Sequence, residues 1–426
     1  MKILILVFLT VLLSGCGTGL CPVKTSASTC SGSSGGFRWV SPQGVLDTSF
    51  NSTGIFNTDI IAGTDQGYGV TVQNDGKILV ASTIFPGTSA FHHIMRFSTS
   101  GVLETSFGTA GVAANLIAFG QNRVHAWPLQ RANGKILVVS AGTANSYNLY
   151  QFNSDGITDT TFGTGGGVAG AGFTCIYGEF YASEYLLARC YDGADRIVIA
   201  RFDTLGNLDT TFGTAGSTVS TNVFGYSGSI KLKSDGTILM AGQTVAGGGN
   251  LIISKFNSSG ILDTTFGTGG STTVAMGTNA FPIGVAEQTD GKIVVGGTTA
   301  SGYYFTARFN TLGILDTTYG STAGYTIHTA LNSLDNANNA NRNLVIQPDN
   351  KIILAMNRAG YTTLSIARID SSGNFDTTFN STGYNEWNPA ASINVQGYAL
   401  HPDGRIVVVG GVLPAGVRRT YLTLWK

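Results

Sequence analysis

Gly260-Ile261-Leu262-Asp263-Thr264-Thr265-Phe266-Gly267-Thr268-Gly269-Gly270 decides how the rest of the chain is read, because it is one of seven near copies. The others are Leu46-Asp47-Thr48-Ser49-Phe50, Leu103-Glu104-Thr105-Ser106-Phe107, Thr158-Asp159-Thr160-Thr161-Phe162, Leu208-Asp209-Thr210-Thr211-Phe212, Leu315-Asp316-Thr317-Thr318-Tyr319 and Phe375-Asp376-Thr377-Thr378-Phe379. The acidic position falls at 47, 104, 159, 209, 263, 316 and 376, with gaps from 50 to 60 residues. Self-similarity at a period of about 55 marks a propeller or a solenoid.

The motif has structural mechanics of its own. A Gly ahead of it allows positive φ. The Asp carboxylate accepts from the N–H two residues on, closing an Asx-turn. Phe266 and its equivalents supply a large apolar anchor. The competing reading is a calcium site at each Asp, which needs roughly six to eight oxygens. No copy has acid-rich ligand spacing, and seven equivalent sites exceed what one reaction needs. Asp47, Glu104, Asp159, Asp209, Asp263, Asp316 and Asp376 are therefore read as structural, with no metal.

Between copies of the motif lies a second regular feature, Gln288-Thr289-Asp290-Gly291-Lys292-Ile293-Val294-Val295. Asp-Gly flanked by apolar runs is a strong hairpin signal. It returns at Asp75-Gly76, Asn133-Gly134, Asp235-Gly236, Asp349-Asn350 and Asp403-Gly404, and is missing near 182–192, which predicts an irregular third blade. Runs such as Ile78-Leu79-Val80-Ala81 are apolar at consecutive positions, as in strands covered on both faces. A third feature, Ala307-Arg308-Phe309 and its relatives, precedes each motif. Adding the short segment after the motif gives four strands per repeat, and seven repeats give an all-β, seven-bladed β-propeller over residues 37–426. About 55 residues is long for one coil of an open solenoid.

The combination of Leu-Asp-Thr-Thr-Phe-Gly-Thr-Gly-Gly, Pro-Asp-Gly-Arg-Ile and Ala-Arg-Phe resembles the bacterial delta-60 repeat family over residues 37–426. That resemblance implies a β-propeller in an exported or surface protein and carries no catalytic motif. Glu104 for Asp and Tyr319 for Phe depart from the pattern.

Residues 1–15 read as a signal peptide, with Lys2 ahead of an apolar run too short to span a bilayer. Leu13-Ser14-Gly15-Cys16 resembles the lipobox of bacterial lipoproteins, which implies acylation of Cys16. Two or three acyl chains anchor firmly where one does not. Gly17 in place of Asp favours the outer membrane. Residues 16–36 are Gly-, Ser- and Thr-rich and form the lipidated tether. Cys21 with Cys30 and Cys175 with Cys190 are possible disulfides in an oxidising envelope, other pairings remaining open.

Only 11% of the 426 residues are charged, Lys plus Arg equalling Asp plus Glu at 24 each, with 59 Gly. A balanced charge argues against nucleic acid, whose binding needs clustered cations. The expectation is a monomer without cofactor.

With strands running outward from the segment after the motif, that segment lines the axial channel. Motif loops and Asp-Gly turns then share one face, and the variable loops share the other. The variable face holds the candidate binding aromatics Phe85, Tyr147, Tyr226, Phe281, Tyr303, Tyr304, Tyr361 and Trp387, suited to a glycan or envelope-protein partner. The competing reading is a glycosidase-like hydrolase at the channel, drawing on Asp59, Asp65, Glu179, Glu184, Asp192, Asp195, Glu287, Asp335 and Glu386. His92 and His93 point to opposite faces of a strand, and no catalytic residues are assigned. Phe37-Arg38-Trp39 reads as a strand adding near the seam that the C-terminal strand closes.

Overall fold

The computed structural model describes residues 39–426 apart from 58–63, 86–88, 115–118, 121–124, 143–144, 182–183, 245–247, 333–343 and 359. The signal, the tether and Cys16, Cys21 and Cys30 lie outside the described residues. The local rule that starts each blade is the tight turn. At the first, Gly76 takes φ +81°, the Gln73 N–H donates to the Lys77 carbonyl at 2.8 Å, and the Lys77 N–H donates to Asp75 Oδ1 at 3.1 Å. The flanking strands emerge antiparallel in fixed register.

Seven such units form an all-β propeller of four-stranded antiparallel blades. The first is β2 (Thr64–Val72), β3 (Ile78–Phe85), β4 (Ser89–Phe97) and β5 (Val112–Ala114), with β6 (Phe119–Gly120) beside β4. The second is β7 (Ala126–Gln130), β8 (Ile136–Ala141), β9 (Ser146–Phe152) and β10 (Gly167–Ala171). The third is β11 (Phe173–Phe180), β12 (Leu186–Asp192), β13 (Arg196–Phe202) and the start of β14 (Ser217–Leu232). After a register shift between Phe224 and Gly228, β14 continues as the inner strand of the fourth blade, with β15 (Ile238–Thr244), β16 (Leu251–Phe256) and β17 (Ser271–Val274). The fifth is β18 (Ala280–Glu287), β19 (Ile293–Thr299), β20 (Tyr303–Phe309) and β21 (Tyr325–Asn332). The sixth is β22 (Val345–Ile346), β23 (Ile352–Asn357), β24 (Leu364–Ile369) and β25 (Tyr384–Trp387). The seventh is β26 (Ser392–Leu400), β27 (Ile406–Leu413), β28 (Arg419–Trp425) and, from the other end of the chain, β1 (Ile55–Asn57).

Apolar clusters lie between blades rather than inside them. One joins Val80 and Met95 of the first blade to Val409 and Leu422 of the seventh. Another joins Leu137 and Leu149 of the second to Val198 and Phe202 of the third. Each blade is covered on both sides, so its second strand is apolar at consecutive positions.

The structure corrects two expectations. The segment after the motif is the outermost strand of the preceding blade, not the lining of the channel. β10 pairs with β9 alone and is half-exposed, whereas the strand before the Asp-Gly turn is inner and buried. A short Gly-rich segment has too little apolar surface for the crowded axis. The third blade is regular, because Tyr181 donates its N–H to the Tyr185 carbonyl at 2.7 Å and Glu184 takes φ +69° in the place of Gly. Of Phe37-Arg38-Trp39, Phe37 and Arg38 lie outside the described residues; Trp39 is in no strand, and the Val40 N–H bonds the Asp403 carbonyl at 2.8 Å on the turn of the seventh blade.

Closure is made by β1, which pairs Ile55 with Thr423 and Asn57 with Tyr421. The chain ends meet as Val45 and Lys426 exchange backbone hydrogen bonds of 2.9 and 2.8 Å. The break in the ring thus falls between the third strand of a blade and its motif.

The contact repeated around the ring sets a glycine of one repeat against the motif aromatic of the repeat before. A Cβ on Gly260 would lie 2.7 Å from Phe212, and one on Gly44 would lie 2.7 Å from Phe379, with φ of +78° and +79°. Gly313→Ala meets both obstacles, with φ +79° and a Cβ 2.5 Å from the Phe266 ring. It is expected to cost at least about 1–3 kcal/mol, read as a lowered midpoint in denaturant. An unchanged midpoint would show that the contact does not hold the blades.

Candidate functional site

On the repeat face, the motif acid is a junction. Asp316 Oδ1 accepts from the Thr318 N–H at 3.1 Å and its hydroxyl at 2.6 Å, while Oδ2 takes Arg308 Nε at 2.9 Å and Lys292 Nζ at 3.5 Å. The Asx-turn recurs at Asp47, Asp159, Asp209, Asp263 and Asp376. Glu104, one methylene longer, reaches Arg96 at 2.6 Å and Lys77 at 2.8 Å. The strand arginine also spans the blades. Arg308 donates to the Ser371 carbonyl at 2.6 Å and Arg368 to the Pro42 carbonyl at 2.6 Å, while their guanidinium groups lie over Tyr319 and Phe379 at 4.6 and 4.9 Å. Every motif aromatic is buried. Tyr319 keeps its hydroxyl satisfied on Thr306 Oγ1 at 2.9 Å. This face is therefore joinery.

The inner strands enclose an axial cavity of about 640 Å³. Its wall is mainly apolar, with Val70, Trp127, Ile230, Val285, Ile346 and Tyr398 drawn from six blades. Two acids reach it, Glu179 and Glu287. Glu179 accepts from Tyr177 Oη at 2.5 Å, Lys231 Nζ at 3.1 Å and the Leu232 N–H at 3.0 Å, and Glu287 pairs with Lys233 at 2.9 Å. Of the remaining candidate acids, Asp65 is buried and bonds the Thr420 N–H, Glu184 pairs with Arg131, Asp192 with Arg196 and Glu386 with Arg358. Asp195 sits in a turn at φ +57°, and Asp59 and Asp335 lie outside the described residues. Among the described residues no group of three His, Cys, Asp or Glu side chains is placed to hold a metal.

The histidines separate as strand alternation requires. His92 bonds Thr83 at 2.9 Å on one side of β4, and the next residue, His93, pairs across the sheet with Ser82, which bonds Thr420 of the seventh blade at 2.7 Å. Burial pushes both imidazoles down, His93 to about 4. His125 of the second blade stacks edgewise on Tyr68 at 5.5 Å, a grouping across blades that sequence spacing did not contain.

On the variable face the candidate aromatics divide. Phe85, Phe281, Tyr303 and Trp387 are half-buried and Tyr361 is exposed. Trp387 leans on Tyr421 at 5.5 Å. Tyr147 and Tyr304 do not present themselves for binding. Tyr147 is stacked on Phe173 at 5.2 Å and edgewise on Phe202 at 5.0 Å, and Tyr304 is 0% exposed within the cluster shared by the fifth and sixth blades. Tyr303 and Tyr304 are neighbours on β20, so their side chains take opposite faces of the strand and one is driven inward. The side chain of Tyr226 is outside the described set. Cys175 and Cys190 face each other across β11 and β12 and are joined as a disulfide.

Two outcomes follow from these contacts. Burial by itself would raise the Asp316 carboxyl; the Thr318 hydroxyl and N–H and the Arg308 guanidinium outweigh it and hold the group at about 2, and the equivalent contacts of Asp376 do the same. A folded-state pKa below the unfolded value of about 4 gives stability that is present above that value and lost as pH falls through the folded one. Asp316→Asn is therefore expected to lower the melting temperature at pH 7 and to flatten its fall between about pH 4 and 2; an unflattened profile would refute the assignment. Replacing Cys175 and Cys190 with Ala is expected to cost about 3 kcal/mol by chemical denaturation, and the parent should lose a similar amount in reductant.

Five segments, residues 73–107, 131–162, 233–266, 288–319 and 347–379, match the family model described as a domain of unknown function (DUF5122) beta-propeller. Each runs from a tight turn to the motif aromatic. The two repeats without a match are the third, whose turn lacks Asp-Gly, and the seventh, which the chain ends divide. No curated protein matches the chain. Among solved structures, the polysaccharide lyase Uly1 is similar over 87% of this chain and 91% of its own, at TM-score 0.51 and 10% identity. Virginiamycin B lyase from Staphylococcus aureus, crystallised with quinupristin, is similar over 87% and 98%, at 0.48 and 13%. A lectin from Burkholderia pseudomallei is similar over 90% and 98%, at 0.46 and 9%. At these identities the likeness is one of fold. The chain is built from repeats of the β-propeller type.

Proposed function

We propose that this propeller is a lipid-anchored binding module of the bacterial cell envelope that engages a glycan or protein partner through its variable face. The observation that supports this most is the division between the two faces. On one, the motif acids and turn lysines are engaged with the strand arginines within each blade, and those arginines reach carbonyls of the next blade. On the other, Phe281 and Tyr303 at strand ends of the fifth blade, and Tyr361 on a connection and Trp387 at a strand end of the sixth, stand partly open. Aromatic rings with an apolar face and a polar edge, held on a rigid ring, suit sugar and protein surfaces.

The competing reading is hydrolysis at the axial channel. Glu179 and Glu287 are the acids there, and each is tied to a lysine rather than aimed free into the cavity.

Detergent-extracted full chain is to be applied to a glycan and peptidoglycan array, beside a pull-down from envelope extract. A reproducible ligand should be weakened about tenfold by Tyr303→Ala, the share of one well-placed aromatic at an interface. A ligand indifferent to Tyr303→Ala and Tyr361→Ala, or silence in both assays, would sink this reading. Product release from a glycan, lost in Glu179→Gln, would establish the rival.

A further inference from the structure

We infer that the repeat face rests on the bilayer, with a ring of aliphatic side chains at the membrane surface and the variable face turned away from it. The inference depends on the lipid anchor proposed above and adds the orientation in which that anchor holds the propeller.

Three observations carry it. Val102, Ile157, Leu205, Ile261, Leu312 and Ile314 are each between 52% and 61% exposed. Single exposed aliphatics are ordinary on a protein surface. These recur at one place in the fold, the turn between the third strand and the motif, in the first five blades. Among the described residues, the large apolar side chains more than half exposed all lie on this face; on the variable face Tyr361 and Val417 reach only 39%.

The second observation is where the chain leaves the propeller. Val40, itself 61% exposed, bonds the Asp403 carbonyl, and a Cβ on Gly404 would meet Trp39 and the Val40 carbonyl. Trp39 and Val40, the first described residues, therefore lie against a turn of the repeat face. With the proposed anchor at Cys16, only 23 residues before Trp39 in the sequence, the face on which the chain joins the propeller is the face held toward the lipid.

The third is charge. Interfacial seating of aliphatic groups is opposed by unpaired charge. On this face the motif acids are matched, as Asp209 is by Arg201, Asp263 by Lys255 and Asp47 by Arg405, while the carboxylates of the aliphatic turns themselves, Asp155 and Asp203, accept backbone N–H groups of Ile157, Leu205 and Asn207.

The test uses the acylated full chain in vesicles of neutral phospholipid, some with brominated acyl chains that quench tryptophan. Ile261→Trp and Ile157→Trp should each add emission that is blue-shifted and lost on bromination, relative to the parent with its native tryptophans. Tyr303→Trp on the opposite face should add emission that bromination leaves intact. Quenching of Tyr303→Trp as strong as that of Ile261→Trp, or of neither, would overturn the orientation. Ile261→Trp emission that is blue-shifted in detergent and quenched in no vesicle, together with a dimer by sedimentation, would give the ring to a second copy and overturn the lipid assignment. Mass spectrometry of the N-terminal peptide separates the premise from the inference. An unacylated Cys16 removes the anchor and the docking with it, whereas an acylated chain with unquenched ring positions removes the docking alone.

Discussion

Each blade is held to the next by one aromatic ring seated where a glycine leaves room for it. The side of Gly101 toward Phe50, of Gly206 toward Phe162 and of Gly373 toward Tyr319 would be filled by any Cβ. The positive φ that brings the backbone so close is itself costly for other residues. Above the ring, a strand arginine lies over the aromatic face and donates to a carbonyl of the following blade, as Arg201 does over Phe212 at 4.8 Å and to Ser258 at 2.6 Å. Apolar burial, a cation over an aromatic face and a directional hydrogen bond thus meet at one point. Each fixes a different coordinate of the angle between blades.

The same contact also closes the ring. Phe379 meets Gly44 as the other motif aromatics meet their glycines, and the Asn380 N–H bonds the Gln43 carbonyl at 2.8 Å. Closure needs no special joint, because the first motif and β1 follow β28 in the seventh blade just as a motif and fourth strand follow the third strand in the others. The first motif and β1 therefore finish the blade that β26, β27 and β28 begin. Offsetting repeat and blade by one strand ties the ends together through the hydrogen bonds of a sheet, and both faces of every blade are covered, leaving only the short outer strands as edges.

Demands on the two faces differ for a topological reason. Turns between first and second strands, and motif loops between third and fourth, lie on one face and carry the contacts that join blades. They are consequently uniform in sequence. The connections on the other face carry no such duty and vary in length and composition. That freedom leaves Tyr303, Tyr361 and Trp387 partly open there, while the uniform face repeats its exposed aliphatics from blade to blade.

Much of this was legible in the residues. Seven copies of an acid-Thr-Thr-Phe motif and six recognisable tight turns specify repeat number, strand count and the structural role of the acids, because these depend on contacts within a few residues. The Asx-turn at Asp263 and the ladder beginning at Gly291 are local and follow from local sequence. What spans blades was not legible. Which strand faces the axis depended on packing density at the centre, which only the closed ring sets. Tyr304 was driven inward by its place on β20, and Tyr147 by the aromatic pair Phe173 and Phe202 from the neighbouring blade. The approach of His125 to Tyr68 and of Lys231 to Glu179 likewise joins residues far apart in the chain. The sequence by itself determined the repeating unit, since hydrogen bonds across turns act over two to four residues. The tertiary structure alone decided the axis, the seam and the exposure of each aromatic, since those depend on how neighbouring blades fill the space between them.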